Sequence, residues 1–296
     1  MRRIIPFSAL CLAIGALGGC RPEQVIDSPV PPTAGVRFIN AVPDTGQMDF
    51  RPVDLVENVT FYNVGFRGTN TLYYKNARAG TRHFKIFRTP DPNTSAATQI
   101  AVANTVVADL DGEELEANKR YTYILWGYSR PGNAPAMKVT RITDDPADPG
   151  AQVAVRVINA CVAGLCGASA DGAVDARVFT TAQTIGSPAA TFAAQSQLTS
   201  STYTNVATGT YTFDFRPVGS VTTGAALASG TGPTGIAQTV DLEAVPGTTV
   251  AGSAVTALLV PRSLAGSQAT SNTTPGVIFL WDRRPPRTCA LCAPAQ

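Results

Sequence analysis

The chain has almost no histidine: His83 is the single one in 296 residues. That scarcity removes the commonest general base and the commonest metal ligand from nearly the whole sequence. Charged residues are few, at 15%, and the formal net charge is only +2, so there is no basic footprint for nucleic acid. No GxSxG elbow, phosphate loop or dinucleotide fingerprint occurs. No cofactor or metal is expected, and the thin catalytic inventory points away from an enzyme. Long helix-forming runs of Glu, Lys and Leu are also missing. Threonine, serine, glycine, alanine and valine dominate instead, a composition that favours strands and turns. Hydrophobic content of 44% over this length suits two ordinary domains with real cores.

The chain repeats itself. Val36-Arg37-Phe38-Ile39-Asn40-Ala41 returns as Val155-Arg156-Val157-Ile158-Asn159-Ala160. Met48-Asp49-Phe50-Arg51 is echoed by Val174-Asp175-Ala176-Arg177, Ala79-Gly80-Thr81 by Thr208-Gly209-Thr210, and Ile142-Thr143-Asp144 by Leu280-Trp281-Asp282. Echoes in one order indicate two copies of one module. Short alternating segments separated by Pro-Asp, Pro-Gly and Asn-bearing turns predict an all-β fold. The expected architecture is two tandem immunoglobulin-like β-sandwich domains after a signal peptide and a flexible tether. Module one is assigned to residues 36–145, a linker to 146–152, module two to 153–285 and a cysteine-containing tail to 286–296. The Asp144–Gly150 run reads as a stiff, solvated boundary. Strands are expected at Ile100–Val107 and Ile236–Leu242, and an acidic turn across Asp109, Asp111, Glu113, Glu114 and Glu116.

The first residues carry an address. Arg2 and Arg3 precede an apolar run from Ile4 to Leu17, about the length of a signal-peptide core and short for a membrane span. It ends in Leu17-Gly18-Gly19-Cys20, which resembles a bacterial lipobox. The resemblance implies removal of residues 1–19 and lipidation of Cys20, hence a membrane partner and a lipid-anchored place in the cell envelope. Arg21 after the cysteine favours the outer membrane where the cell has one. Pro22, Pro29, Pro31 and Pro32 make residues 20–35 a tether, with a reach of about 50 Å when extended.

The openings VRFINAVPD and VRVINA, each followed by a short Asp-bearing strand, resemble a bacterial cell-surface domain family of unknown function that opens VRxxxAxPDxxxVDV. Its members occur as tandem copies in secreted proteins and lipoproteins. The resemblance implies a β-sandwich and brings no catalytic residues. Module two departs from the pattern where Cys161-Val162-Ala163-Gly164-Leu165-Cys166 replaces the Pro-Asp turn.

Cys161, Cys166, Cys289 and Cys292 are disulfide candidates, an even set in an exported chain. One pairing clips the tail onto the 161–166 loop, because the first and last strands of such sandwiches often lie side by side. The other makes two local bridges. Arg37 with Asp49, and Arg156 with Asp175, recur in both modules and read as fold-level pairs rather than ligand contacts. Trp126, Tyr128 and Arg130 lead into a turn and are the candidate ligand-binding residues, since aromatics at a sandwich end stack on sugars or anchor partners; core packing accounts for the two rings equally well. The functional expectation is a non-enzymatic envelope protein serving binding, adhesion or structure. The alternatives are a carbohydrate-binding surface protein and an accessory subunit of an envelope complex, so envelope proteins or glycans are the expected partners.

Overall fold

The computed structural model describes residues 30–162, 164–167, 172–220, 225–239, 242–267 and 272–286. Cys20, Cys289 and Cys292 lie outside them. The described residues from Thr33 onward form one compact unit.

The first module is built from β1 (Thr33–Asn40), β2 (Met48–Pro52), β3 (Phe61–Val64), β4 (Lys75–Arg78), β5 (Gly80–Arg88), α1 (Ala96–Ala103), β6 (Val106–Leu115), β7 (Arg120–Trp126) and β8 (Lys138–Thr143). The second contains β9 (Val153–Asn159), β10 (Val174–Thr180), β11 (Ala190–Gln195), β12 (Thr204–Val206), β13 (Tyr211–Pro217), β14 (Ala228–Thr231), β15 (Ala254–Val260) and β16 (Gly276–Arg283). The first module has sheets ordered β4-β1-β7-β8 and β3-β2-β5-β6. The second has β12-β9-β15-β16 and β11-β10-β13-β14, the same order strand for strand. Among the described residues the fold is all-β apart from one short helix, in two sandwiches.

Alternation along the inner strands explains how the layers stack. On β1, Val36 and Phe38 enter the core of the first sandwich, and Ile39 enters a different apolar cluster. On β9, Val155 and Val157 enter the core of the second sandwich, and Ile158 joins Ile39 in that shared cluster. Strands β7 and β15 divide the same way: Tyr121, Tyr123 and Leu125 face one side, Ile124 and Trp126 the other; Ala257 and Leu259 face one side, Leu258 and Val260 the other. The β4-β1-β7-β8 and β12-β9-β15-β16 sheets therefore pack against each other. Each is buried on both faces, which is why β9 and β15 are buried at every residue. Among the described residues there are three apolar cores: one inside each sandwich and a third in the seam between them.

Four features differ from the sequence expectation. Strand β1 begins at Thr33 rather than Val36, because Thr33, Ala34 and Gly35 pair with Arg78, Ala77 and Asn76 of β4. Residues 96–103 are helical where a strand was expected at 100–107. Ser95 caps the helix by accepting from the Thr98 amide, and alanines follow it. The acidic segment lies in β6 rather than in a turn. Asp109 stands opposite Lys85 and Glu113 opposite Arg82, with Gly112 at φ 74° where the register slips by one residue. His83 is half-buried there, 2.5 Å from Asp109. Its hydrogen bond, followed by that of Lys85, holds the Asp109 carboxyl below its ordinary value. Among the described residues, Ile236 makes only an isolated bridge, to Val245, in place of the strand expected from 236 to 242.

A buried arginine pins the β2–β3 connection. Arg82 is 2% exposed and donates to both carboxylate oxygens of Asp54, at 2.8 and 3.0 Å, and to Glu57 at 2.9 Å. The hydrogen bond from Arg82 is the main reason the Asp54 carboxyl sits at about 2 instead of 3.8. A depressed carboxylate stabilises the fold above its unfolded value, and that stability is lost as pH falls toward the folded value. Wild type should therefore lose more stability between about pH 4 and pH 2 than Asp54→Asn does. Urea midpoints at pH 5 and pH 2.5 measure this, and equal losses in both proteins would contradict the assignment.

Candidate functional site

The residues that recur between the modules each have an assigned mechanical task. Asn40 donates to the carbonyls of Gly46 and Val64 and accepts from the Val42 amide. Asn159 does the same with Gly172, Gln195 and the Cys161 amide. Each asparagine ties the chain leaving the first strand to the turn before the second. Asp49 accepts from the amide of Asn63, and Asp175 from the amide of Ala194, both at 2.7 Å. Asn63 and Ala194 are left-handed, at φ 54° and 47°, and sit where the ladder gains a residue. The recurring aspartate thus holds a bulge whose backbone is unfavourable for a residue with a side chain. Asp44 of the Pro-Asp turn accepts from the amides of Ser129 and Arg130.

Arg37 and Arg156 do not pair with Asp49 and Asp175. Both are buried in the seam, where they meet the aspartates that end each module's echo. The Arg37 guanidinium donates to Asp282 at 2.8 Å and to Asp144 at 3.5 Å, and to Thr122 at 2.8 Å. Arg156 donates to Asp144 and to Thr256, and lies 3.7 Å from Asp282. Thr122 donates to Asp144 and Thr256 to Asp282. Tyr74 donates to Asp144 at 2.9 Å and lies under Arg37 at 4.4 Å; Tyr203 donates to Asp282 at 3.0 Å and lies under Arg156 at 4.6 Å. The constellation is reciprocal: each module supplies an arginine, a threonine, an aspartate and a tyrosine. Burial would lower the affinity of Arg37 and Arg156 for their protons, but the surrounding charges more than reverse this and both are raised. Burial opposes the charge of Asp282, yet Arg156 and Arg37 hold its carboxyl below the ordinary value. Two guanidiniums and two carboxylates balance, so the seam stays neutral with its charges out of water.

Asp144 corrects the picture of a solvated linker. It is 2% exposed, and Pro146 and Pro149 are buried as well. The ligand-binding assignment is corrected too. Trp126 and Tyr128 are 5% and 9% exposed and belong to the apolar cluster of the seam, so neither offers a ring face for stacking. Arg130 reaches across instead, donating to the carbonyls of Ala265 and Gly266. Arg67, which the sequence reading passed over, makes the same kind of bridge to the carbonyls of Pro261 and Thr274 and to Asn272. An arginine between Phe66 and Gly68 was the available signal.

Cys161 is bonded to Cys166, with Cα atoms 6.0 Å apart. This overturns the pairing of either cysteine with the tail. The reason is topological: the strand parallel to β9 is β15, the penultimate one, and β16 lies beyond it. The cysteine loop does the work of the Pro-Asp turn, since the Leu165 carbonyl accepts from the Arg262 amide.

Among the described residues an extended hollow lies at the end of the first sandwich. A groove of about 620 Å³ is lined by Thr45, Gln47, Phe66, Thr89, Pro90 and Asn272 among others. A second hollow of about 460 Å³ shares Gln47, Thr89, Pro90 and Pro92 with it and continues to Asp49, Arg51, Asn63 and Gln99. The β1–β2 turn, the end of β3 and the loop leading to α1 form its walls. No group of three or more His, Cys, Asp or Glu side chains suited to a metal occurs among the described residues.

Residues 34–164 match the profile of a domain of unknown function, DUF4397. The match spans all of the first module, the linker and the opening strand of the second. No curated protein matches the sequence. Among solved structures, a candidate cell adhesion protein from Bacteroides uniformis aligns over 87% of this chain and 99% of its own, at 11% identity and a TM-score of 0.18. That likeness is too slight to bear on function.

Proposed function

We propose that the chain is a non-enzymatic, lipid-anchored protein of the cell envelope, in which two copies of the domain are fused into one rigid body used for binding or structure. The observation that carries this reading is the seam. It takes the recurring arginines, aspartates and asparagines into docking and turn-holding, so the motif serves shape rather than chemistry. A fused pair on a flexible tether is suited to presenting a fixed surface away from a membrane. The Leu17–Cys20 sequence supports the anchor, and a Cys161–Cys166 bridge fits an oxidising compartment.

The test uses intact cells. Wild type should sediment with membranes and give a discrete cross-linked adduct with an envelope component, and Cys20→Ser should be released and lose that adduct. Membrane retention of Cys20→Ser, or no adduct with wild type, would contradict the reading.

A further inference from the structure

We propose that the groove at the end of the first sandwich binds a neutral oligosaccharide chain. This rests on the binding-module reading above and names its ligand class.

Three observations converge. The first is shape. Hollows of about 620, 460 and 180 Å³ share Gln47 and Thr89 and merge into one open trough, long enough for several linked units rather than one small molecule. The second is an unsatisfied group in its wall. Thr45 lines the groove, is 2% exposed, and its hydroxyl has no hydrogen-bond partner. A buried hydroxyl without a partner costs stability, and a ligand or bridging group that supplies one removes that cost. The third is α1, which walls the trough while burying none of its own residues, with Ile100 64% exposed. The Gln99 amide nitrogen fixes the helix to the carbonyls of Pro92 and Thr94, which leaves its amide oxygen to accept. Among the described residues of the second module no helix occurs between β13 and β14.

The lining selects the ligand class. It carries few charges: Asp49 pairs with Arg51, Asp91 accepts from Asn93, and Arg88 stands at one end. Arg67 is turned to carbonyls of the second module and holds Asn272 by its amide oxygen. That leaves the Asn272 amide nitrogen and the exposed Gln47 amide to meet hydroxyl groups, beside the ring of Phe66 and two prolines. Planar amides next to an aromatic ring and proline faces complement a sugar, whose equatorial edge is hydroxylated and whose face is apolar. A peptide strand needs a free sheet edge for its backbone. This trough instead crosses the strand ends.

The test is calorimetric titration of the full chain in detergent with maltohexaose, cellohexaose and chitohexaose, and with a hexauronate as the anionic comparison. At least one neutral hexasaccharide should bind. Gln47→Ala and Phe66→Ala should each weaken it by roughly tenfold, the loss of about one good contact. Asp148→Ala, outside the trough, should not change it. Binding to none of the three, binding that survives the Gln47→Ala/Phe66→Ala pair, or preference for the hexauronate would overturn the proposal. If the cellular adduct persists while every hexasaccharide fails, the glycan site is lost and the binding-module reading stands.

Discussion

Arg37→Ala should lower the stability of the whole unit by about 3–5 kcal/mol, because it leaves a carboxylate buried beside it without its partner. The side chain is fully buried and touches both Asp144 and Asp282, so water cannot readily replace it. Denaturant unfolding measures the loss as a shift in midpoint at unchanged slope. Replacing all four charged groups with apolar residues of similar volume should cost far less than removing one, since the desolvation penalty disappears with the attraction. The network's contribution is then to specificity. The Ile39, Ile124, Ile158 and Leu258 surfaces of the seam are featureless enough to slide. Four charges that find partners in one geometry fix the register. A loss below about 1 kcal/mol in Arg37→Ala, the size expected of an exposed pair, would show that the seam is open to solvent.

Phe50→Ala should cost a similar amount, about 3–5 kcal/mol, by a different mechanism: a cavity in the first sandwich. Phe50 is the hub of its aromatic core. Its ring centre lies 4.9 Å from Phe84, 5.2 Å from both Phe38 and Tyr123, and 6.0 Å from Phe61. Removing it takes one member from four ring pairs that come from both sheets, so neighbours cannot collapse inward without separating the layers. Phe50→Leu keeps most of the volume and should recover more than half of the loss. An alanine variant within about 1 kcal/mol of wild type would mean that this core is loosely packed.

Much of the fold was legible in the sequence because the chain states it twice. Five of the six residues of each hexamer, from Val36 and from Val155, lie in the first strand of a module. The seam was not legible. The turn that follows Trp126 and Tyr128 suggests a sandwich end open to a ligand. The contrary signal was the apolar character of Tyr121–Trp126 and Ala254–Val260, each interrupted by a single threonine, Thr122 and Thr256, which marks strands covered on both sides. Asp144 was hidden by its neighbours, since a run of aspartates and prolines resembles a surface linker. Its partners lie far away in sequence, with 107 residues separating it from Arg37. Arg37 and Asp282 are 245 apart. Local pattern carries no information about such pairings. The groove was invisible for a related reason: it is made of turns, a short helix and Asn272, whose meeting depends on how the two sandwiches dock.

The docking itself is measured most directly by a double-mutant cycle between Arg37→Ala and Asp282→Ala, one residue from each module. If the modules are locked through this pair, the double variant will lose less than the sum of the singles, with a coupling of at least about 1 kcal/mol. Additivity within about 0.5 kcal/mol would contradict the fused body and leave two sandwiches joined only by their linker.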